Sequence, residues 1–428
     1  MDYKKFKIER LDSISPTFCA AKWTAPNFYL YAGTTSSCQL PNPDPIEIHK
    51  LDDINNIDST PEKIKQRQLM LDGERPEKCS NCWQVEDSGD SSTVPERALY
   101  SYDARDYDFS QFVPEKSVSP WTITVAFDTL CNFTCSYCDA SQSSSWYTDI
   151  KKNGVYYNIK QDPRNTYQRL GKTDKLNQHD YTLLFDKFCE YVELSLPTLK
   201  NITCLGGEPL VSPNFWEFIN RITKVDTQGL RLNVITNLSD IDNVKKLLSF
   251  KDNFKEITVS ASIENIGVKA EFVRNGLVWG TFQDNINYLL ENNIKIRLLA
   301  TMPGIALDGF VKFLDWYKPY AKLVDLEVHR LRHPVFQAPQ VLPQYIKNNY
   351  AKELDEWITV NNTDIDPYLV EQLKNIVTIL RKECIIYNNI DIHVLQKNAQ
   401  EFYKEFARRH NYKLTEVFSQ QLADWILS

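Results

Sequence analysis

The chain has 428 residues, 42% hydrophobic and 25% charged, the proportions of a folded globular protein with room for more than one compact unit. Its net charge of -7 excludes the basic footprint that grips a nucleic-acid polymer. No apolar run approaches the ~20 residues that span a bilayer, and the opening MDYKKFKIER lacks an apolar signal region, so a soluble, cytoplasmic protein with no membrane partner is expected.

Cysteines mark the N-terminal region first. Cys19, Gly33 and Cys38 fall in the pattern C-x13-G-x4-C, followed at a distance by the C-x2-C pair Cys79 and Cys82. Phe28 to Tyr31, ending in Ala32-Gly33, reads as a hairpin that would bring Cys19 and Cys38 together, and a C-x2-C turn can grip one metal or cluster corner. Four thiolates close such a site, and zinc or an iron-sulfur cluster would satisfy them equally by charge and softness. Cys189, Cys204 and Cys384 lie in apolar runs and read as buried small hydrophobes.

From Trp121 onward, strand-length apolar runs alternate with segments of helical period, the pattern of βα units and a parallel sheet. Strands are predicted at 121–127, 200–205, 230–236, 256–263, 295–302 and 323–329, and helices at 180–195, 213–224, 240–249, 280–292 and 308–319. Directly after the first strand come Cys131, Cys135 and Cys138, spaced C-x3-C-x2-C. An iron-sulfur cube held by three cysteines keeps one iron open to a small molecule, whereas a four-cysteine cube is closed; part of a zinc site is the competing reading. Residues 139–179 interrupt the pattern with a polar stretch, read as an insertion that is either a substrate loop or a surface excursion.

The second strand ends in Gly206-Gly207-Glu208-Pro209, whose glycines permit close backbone approach and whose Glu can accept from an ammonium. Strand three ends in Thr236-Asn237, where the Asn can contact a ligand or form an Asx turn. Ser260, Ser262 and Glu264 follow along strand four, with Arg274 beyond them. Glu264 could be an acid or base facing substrate, or a carboxylate paired with an arginine. His329, Arg330, Arg332 and His333 cluster after strand six, suggesting an anionic substrate. Residues from Pro343 to Ser428 are expected to be helical, packing on the strand domain or offering a partner surface.

Residues Trp121 to His333 resemble the radical S-adenosylmethionine (SAM) superfamily, through the three-cysteine loop with Tyr137 before its last cysteine, and through the GGEP turn. The resemblance implies an α/β fold, a partial (β/α)6 barrel of TIM type, with chemistry at the C-terminal ends of the strands. It implies that Cys131, Cys135 and Cys138 hold a 4Fe-4S cluster whose open iron chelates SAM. Gly206, Gly207, Glu208 and Pro209 would then hold the methionine ammonium, Ser262 (or Ser260) with Arg274 the carboxylate, and Tyr137, Asn237 and Val328 the rest of the cofactor. Reductive cleavage of SAM would give a 5'-deoxyadenosyl radical that abstracts hydrogen from a peptide, sugar or small metabolite, with flavodoxin or ferredoxin as reductant.

The N-terminal pattern is similar to SPASM/twitch auxiliary-cluster domains, which implies a second 4Fe-4S cluster on Cys19, Cys38, Cys79 and Cys82, zinc being the alternative. It departs from them in preceding the barrel. The expected organisation is therefore a Cys-rich region at 1–115, the barrel at 116–335 and a helical region at 336–428. Competing functions are modification of a nucleotide or nucleic acid, which the acidic charge disfavours for a polymer, and a non-catalytic metal-binding interaction protein.

Overall fold

A computed structural model of the chain describes residues 2–87, 95–162, 164, 166–167 and 175–428. The architecture is mixed α/β, built on parallel strands with helices in the connections. In chain order the strands used below are β1 (Asn27–Tyr29), β2 (Thr34–Ser36), β3 (Asp44–Pro45), β4 (Thr122–Ala126), β5 (Thr134–Cys135), β6 (Asn201–Leu205), β7 (Arg231–Thr236), β8 (Glu256–Ser262), β9 (Arg274–Asn275), β10 (Lys295–Met302) and β11 (Val324–Arg330). All six strands predicted from the βα pattern are present as β4, β6, β7, β8, β10 and β11, and the helices between them are Gln178–Ser195, Pro213–Ile222, Ile241–Leu248, Trp279–Glu291 and Phe310–Tyr317. Among the described residues no helix is long and apolar enough to cross a membrane.

The chain forms two compact units that interleave along the sequence: Met1–Asp128, Asp174–Asn233 and Ser249–Ile257 in one, Thr129–Thr173, Val234–Leu248 and Thr258–Ser428 in the other. Each takes part of the predicted barrel segment.

In the first unit, β1 and β2 form the expected hairpin, with Phe28 opposite Thr35 and Gly33 in the left-handed region at φ +61°. The same β1 also pairs in parallel with β4, which pairs with β6, so the hairpin extends the parallel strands rather than standing apart from them. Phe28 packs edge-on against Phe188 and Tyr191 of the helix Gln178–Ser195. A second core gathers Phe18, Trp23, Phe109 and Phe112.

The helix Pro61–Leu71 starts at Thr60, whose side chain accepts from Lys63 N, with Pro61 in its first turn. Its buried residues, Lys63, Gln66, Arg67 and Met70, recur at helical spacing but are mostly polar, so an apolar-periodicity reading passes over them. Asp58 resolves the two charges: Lys63 donates to its Oδ1, and Arg67 Nη2 donates to Oδ2 at 2.9 Å. Arg67 also donates to Lys22 O, Ser59 Oγ and Pro114 O, which ties three chain segments to one guanidinium.

In the second unit, β10 lies between β8 and β11, parallel to both. Alternation along β10 buries Ile296, Leu298, Ala300 and Met302 on one face. The polar stretch from 139 contains the helix Ser144–Asn153, and it is not a surface excursion: Trp146, Tyr156 and Tyr167 are buried in an aromatic core with Phe402 and Phe406 of the helix Ile392–His410. Residues 163, 165 and 168–174 of the expected insertion lie outside the described residues, as do 88–94 beside the C-x2-C pair. The C-terminal region is helical as expected, with helices at Gln344–Asn361, Pro367–Arg381, Ile392–His410 and Gln420–Leu427. It is fastened to the strand-bearing part of its unit by Trp357 Nε1 on Asp315, Ser419 N on Asp308 and Tyr412 OH on Glu271 O.

Removing Asp58 would leave two buried cations without a counter-charge. Asp58→Asn should therefore lower unfolding stability by about 3–5 kcal/mol in a denaturant titration. A change under ~1 kcal/mol, the range of an exposed ion pair, would show that the network carries little of the fold.

Candidate functional site

The three-cysteine loop is built by short-range pairing and by side chains reaching in from later segments of the second unit. Cys135 sits on β5 directly opposite Arg274 of β9 in an antiparallel pair, and Ser136 N donates to Val273 O at 2.7 Å. Ser144 and Ser145 hydroxyls donate to Cys131 O, Trp146 Nε1 donates to Cys135 O at 2.9 Å, and both Tyr167 OH and Gln337 Nε2 donate to Ser136 O at 2.8 Å. These bonds hold the loop's carbonyls at Cys131, Cys135 and Ser136.

Behind Cys135 lies a triad of buried Arg274 and Glu264 with half-buried Tyr137. Arg274 grips Glu264 with two bonds, Nε to Oε2 at 2.7 Å and Nη2 to Oε1 at 2.8 Å, and Tyr137 OH donates to Glu264 Oε1 at 2.6 Å. The remaining Nη1 of Arg274 points to Cys135 Sγ at 3.7 Å. Burial pushes the Cys135 thiol up to about 12, against the pull of the Arg274 guanidinium. Burial also holds the Cys138 thiol well above its ordinary value, with Cys135 nearby adding to the rise. Metal loading at these thiols must therefore release protons.

This arrangement resolves alternatives that the sequence left open. Glu264 is fully buried with both oxygens engaged, so it is the arginine-paired carboxylate. Arg274, expected to meet a cofactor carboxylate, is occupied by a carboxylate of the chain itself. Asn237 accepts from Ser239 N at 3.1 Å, the Asx turn, and its amide also donates to Asn132 Oδ1 at 2.8 Å, tying strand β7 to the cysteine loop. Ser262 is half-buried at the end of β8, Ser260 is buried within that strand, and Val328 is buried in β11 with its N–H donated to Gln372. His329, Arg330 and Arg332 are exposed.

Asn132, Trp146, Gln337 and Gly276 are site-shaping residues that sequence reasoning missed. Gly276 had a readable signal, two residues past Arg274.

In the first unit, the GGEP turn is pinned to the end of β4. Gly206 has φ +135°, and a Cβ there would stand 2.8 Å from Asp128 O, so its close backbone approach is to the chain itself. Gly207 N donates to the same oxygen at 3.2 Å. Glu208 is buried and accepts from Leu210 N at 3.1 Å.

The four N-terminal cysteines also lie in the first unit. Cys19, Cys79 and Cys82 are buried, and Cys19 and Cys79 share one cluster with Met70 and Trp83. Burial raises the Cys38 thiol to about 12, with Cys19 and Cys79 adding to the rise and the Lys22 ammonium opposing it. Cys82 is raised by burial and then by Cys19, Cys38 and Cys79. Among the described residues no three His, Cys, Asp or Glu side chains already converge as a metal site. Ser37 Oγ and Gln66 Nε2 are buried without a hydrogen-bond partner among the described residues. Four soft thiols in one unit, with orphaned donors at Ser37 and Gln66, are the type of donor set that a thiolate-held metal centre uses.

A Cβ at Gly276, where φ is +113°, would meet Phe133 Cδ1 at 2.6 Å and Asn132 O at 3.2 Å, whereas one at Gly280 meets nothing within 4 Å. Gly276→Ala should lower the melting stability by at least ~1–3 kcal/mol, from strain alone. Gly280→Ala should leave it within ~0.5 kcal/mol or raise it. Equal effects from the two would show that the close approach at Phe133 does not constrain the loop.

Comparison with known proteins places residues 127–317 in a match to the model of the radical SAM superfamily. No curated protein matches the sequence. Among solved structures, native anSMEcpe with bound AdoMet and Cp18Cys peptide is similar at 14% identity and a TM-score of 0.37, covering 57% of this chain and 61% of that one. Native anSMEcpe with bound AdoMet is similar at 12% identity and a TM-score of 0.39, covering 57% of this chain and 63% of that one. The chain thus spans under two thirds of either protein.

Proposed function

We propose that the protein is a radical SAM enzyme, a reading carried by the superfamily match over residues 127–317, which begins four residues before Cys131 and contains the whole C-x3-C-x2-C loop and Gly206 to Pro209. Cys131, Cys135 and Cys138 would hold a 4Fe-4S cluster. When bound, the cluster and SAM together supply a one-electron cleavage of a sulfonium that generates a hydrogen-abstracting carbon radical.

What the chain's own residues contribute is physical. Cys135 is buried and Cys131 and Cys138 are half-buried, so the loop is only partly open to water. Arg274, fixed by Glu264 and Tyr137, directs an N–H at the Cys135 sulfur, which favours its thiolate form. Asn237 and Asn132 hold the loop to the end of β7. Ser262, Ser260, Tyr137 and Val328 are the proposed contacts to SAM, with Gly206, Gly207, Glu208 and Pro209 for its ammonium. The substrate is proposed to be a peptide, sugar or small metabolite, with flavodoxin or ferredoxin as electron donor. Cys19, Cys38, Cys79 and Cys82 are proposed to hold an auxiliary 4Fe-4S cluster, or zinc.

Anaerobic reconstitution with iron and sulfide, then dithionite and SAM, should yield 5'-deoxyadenosine from the wild-type protein. Cys131→Ala should reduce that yield by at least ~100-fold, since loss of a ligand removes the cluster rather than tuning it. No 5'-deoxyadenosine from reconstituted wild type would overturn the enzyme reading, and full yield from Cys131→Ala would overturn the site assignment.

A further inference from the structure

We propose that Lys22 is the positioning cation of the four-cysteine site: its buried ammonium, held by Gln66, supplies the counter-charge of the anionic metal–thiolate centre. The inference rests on the reading that Cys19, Cys38, Cys79 and Cys82 bind a metal centre. Four thiolates around zinc or an iron-sulfur cube leave a net negative charge, and burying it requires a fixed positive charge close by.

The other buried cations of the unit are already matched. Lys63 and Arg67 share Asp58, and Arg97 is held by Glu86 with Asp12 beside it. Lys22 is 4% exposed, yet among the described residues it has no carboxylate partner; its ammonium donates to the neutral Gln66 Oε1. An ammonium buried without an anion is strongly disfavoured, so the fold keeps it there for an anion that the amino-acid carboxylates do not provide.

Placement identifies that anion. Lys22 lies one turn past Cys19, with Lys22 N donating to Cys19 O at 3.1 Å. Gln66 sits one turn before Met70 on the buried face of the helix Pro61–Leu71, and Met70 packs with Cys19 and Cys79. The tethering amide is thus on the helix face turned to the thiols. Its own Nε2 lacks an acceptor among the described residues, as does Ser37 Oγ beside Cys38. Metal-bound sulfur would serve both as acceptor for these donors and as counter-ion for the ammonium.

The test uses the full chain with Cys131, Cys135 and Cys138 each replaced by alanine, so that metal binding reports on the N-terminal cysteines alone. Cobalt(II), which gives thiolate charge-transfer bands in a four-sulfur site, is titrated against a chelator under anaerobic conditions. In this background Lys22→Met, which keeps the stem and removes the charge, should weaken cobalt affinity tenfold or more, and Lys22→Arg should stay within about threefold. After loading with iron and sulfide, Lys22→Met should also make one-electron reduction at least tenfold less favourable, a shift of ~59 mV to lower potential.

Equal cobalt affinity with and without the Lys22→Met substitution overturns the proposal while leaving the four-cysteine reading intact. Absence of thiolate–cobalt bands in the protein that retains Lys22 overturns both. Should Lys22→Met fail to load at all, loading of Lys22→Arg supports the charge role, and failure of both overturns it in favour of side-chain shape.

Discussion

Sulfur that is to carry negative charge inside a protein must be buried beside a cation that cannot leave, and much of the local structure serves that constraint. At the three-cysteine loop the cation is Arg274, which is itself fixed by a two-point grip on Glu264 and by Tyr137. A guanidinium suits the position because its planar fork can satisfy one carboxylate and still direct a further N–H at Cys135. The antiparallel pairing of Cys135 with Arg274 makes the arrangement a property of the backbone, so the charge and the thiol are delivered together.

The helix Pro61–Leu71 shows the same need for paired buried charge, with the carboxylate of Asp58 as the anion for Lys63 and Arg67. A helix that buries Lys63, Gln66 and Arg67 gains little from apolar burial, and its place is secured by bonds to Asp58, Thr35, Ser59 and Lys22. Buried networks of this kind are stable only when fully satisfied, which makes the orphaned Gln66 Nε2 and Ser37 Oγ informative. Ser37 precedes Cys38, and Gln66 lies one turn before Met70, which packs with Cys19 and Cys79.

Glycine serves the same end in both units. At Gly206 and Gly276 the absent Cβ lets the chain approach itself, against Asp128 O in one case and Phe133 in the other. Gly206 is itself a proposed cofactor contact, and Gly276 lies two residues past Arg274.

The order of the main strands and helices was legible from the sequence because hydrophobic periodicity is a local property, and β4, β6, β7, β8, β10 and β11 fall close to where the pattern puts them. The cysteine spacings were legible for the same reason, since three ligands within eight residues need no tertiary contact to be recognised. The burial of Trp146 in the insertion was not legible because its apolar partners, Phe402 and Phe406, lie more than 250 residues away in sequence and no local period reports them. The sequence by itself therefore determined the α/β plan and the candidate ligands. Only the tertiary structure decided that Arg274 answers to Glu264, that β1 joins the parallel strands, and that Lys22 is buried with Gln66 and, among the described residues, without a carboxylate. Those outcomes depend on which charges meet at a distance along the chain, and the energy of burying a charge is fixed by its neighbours in space.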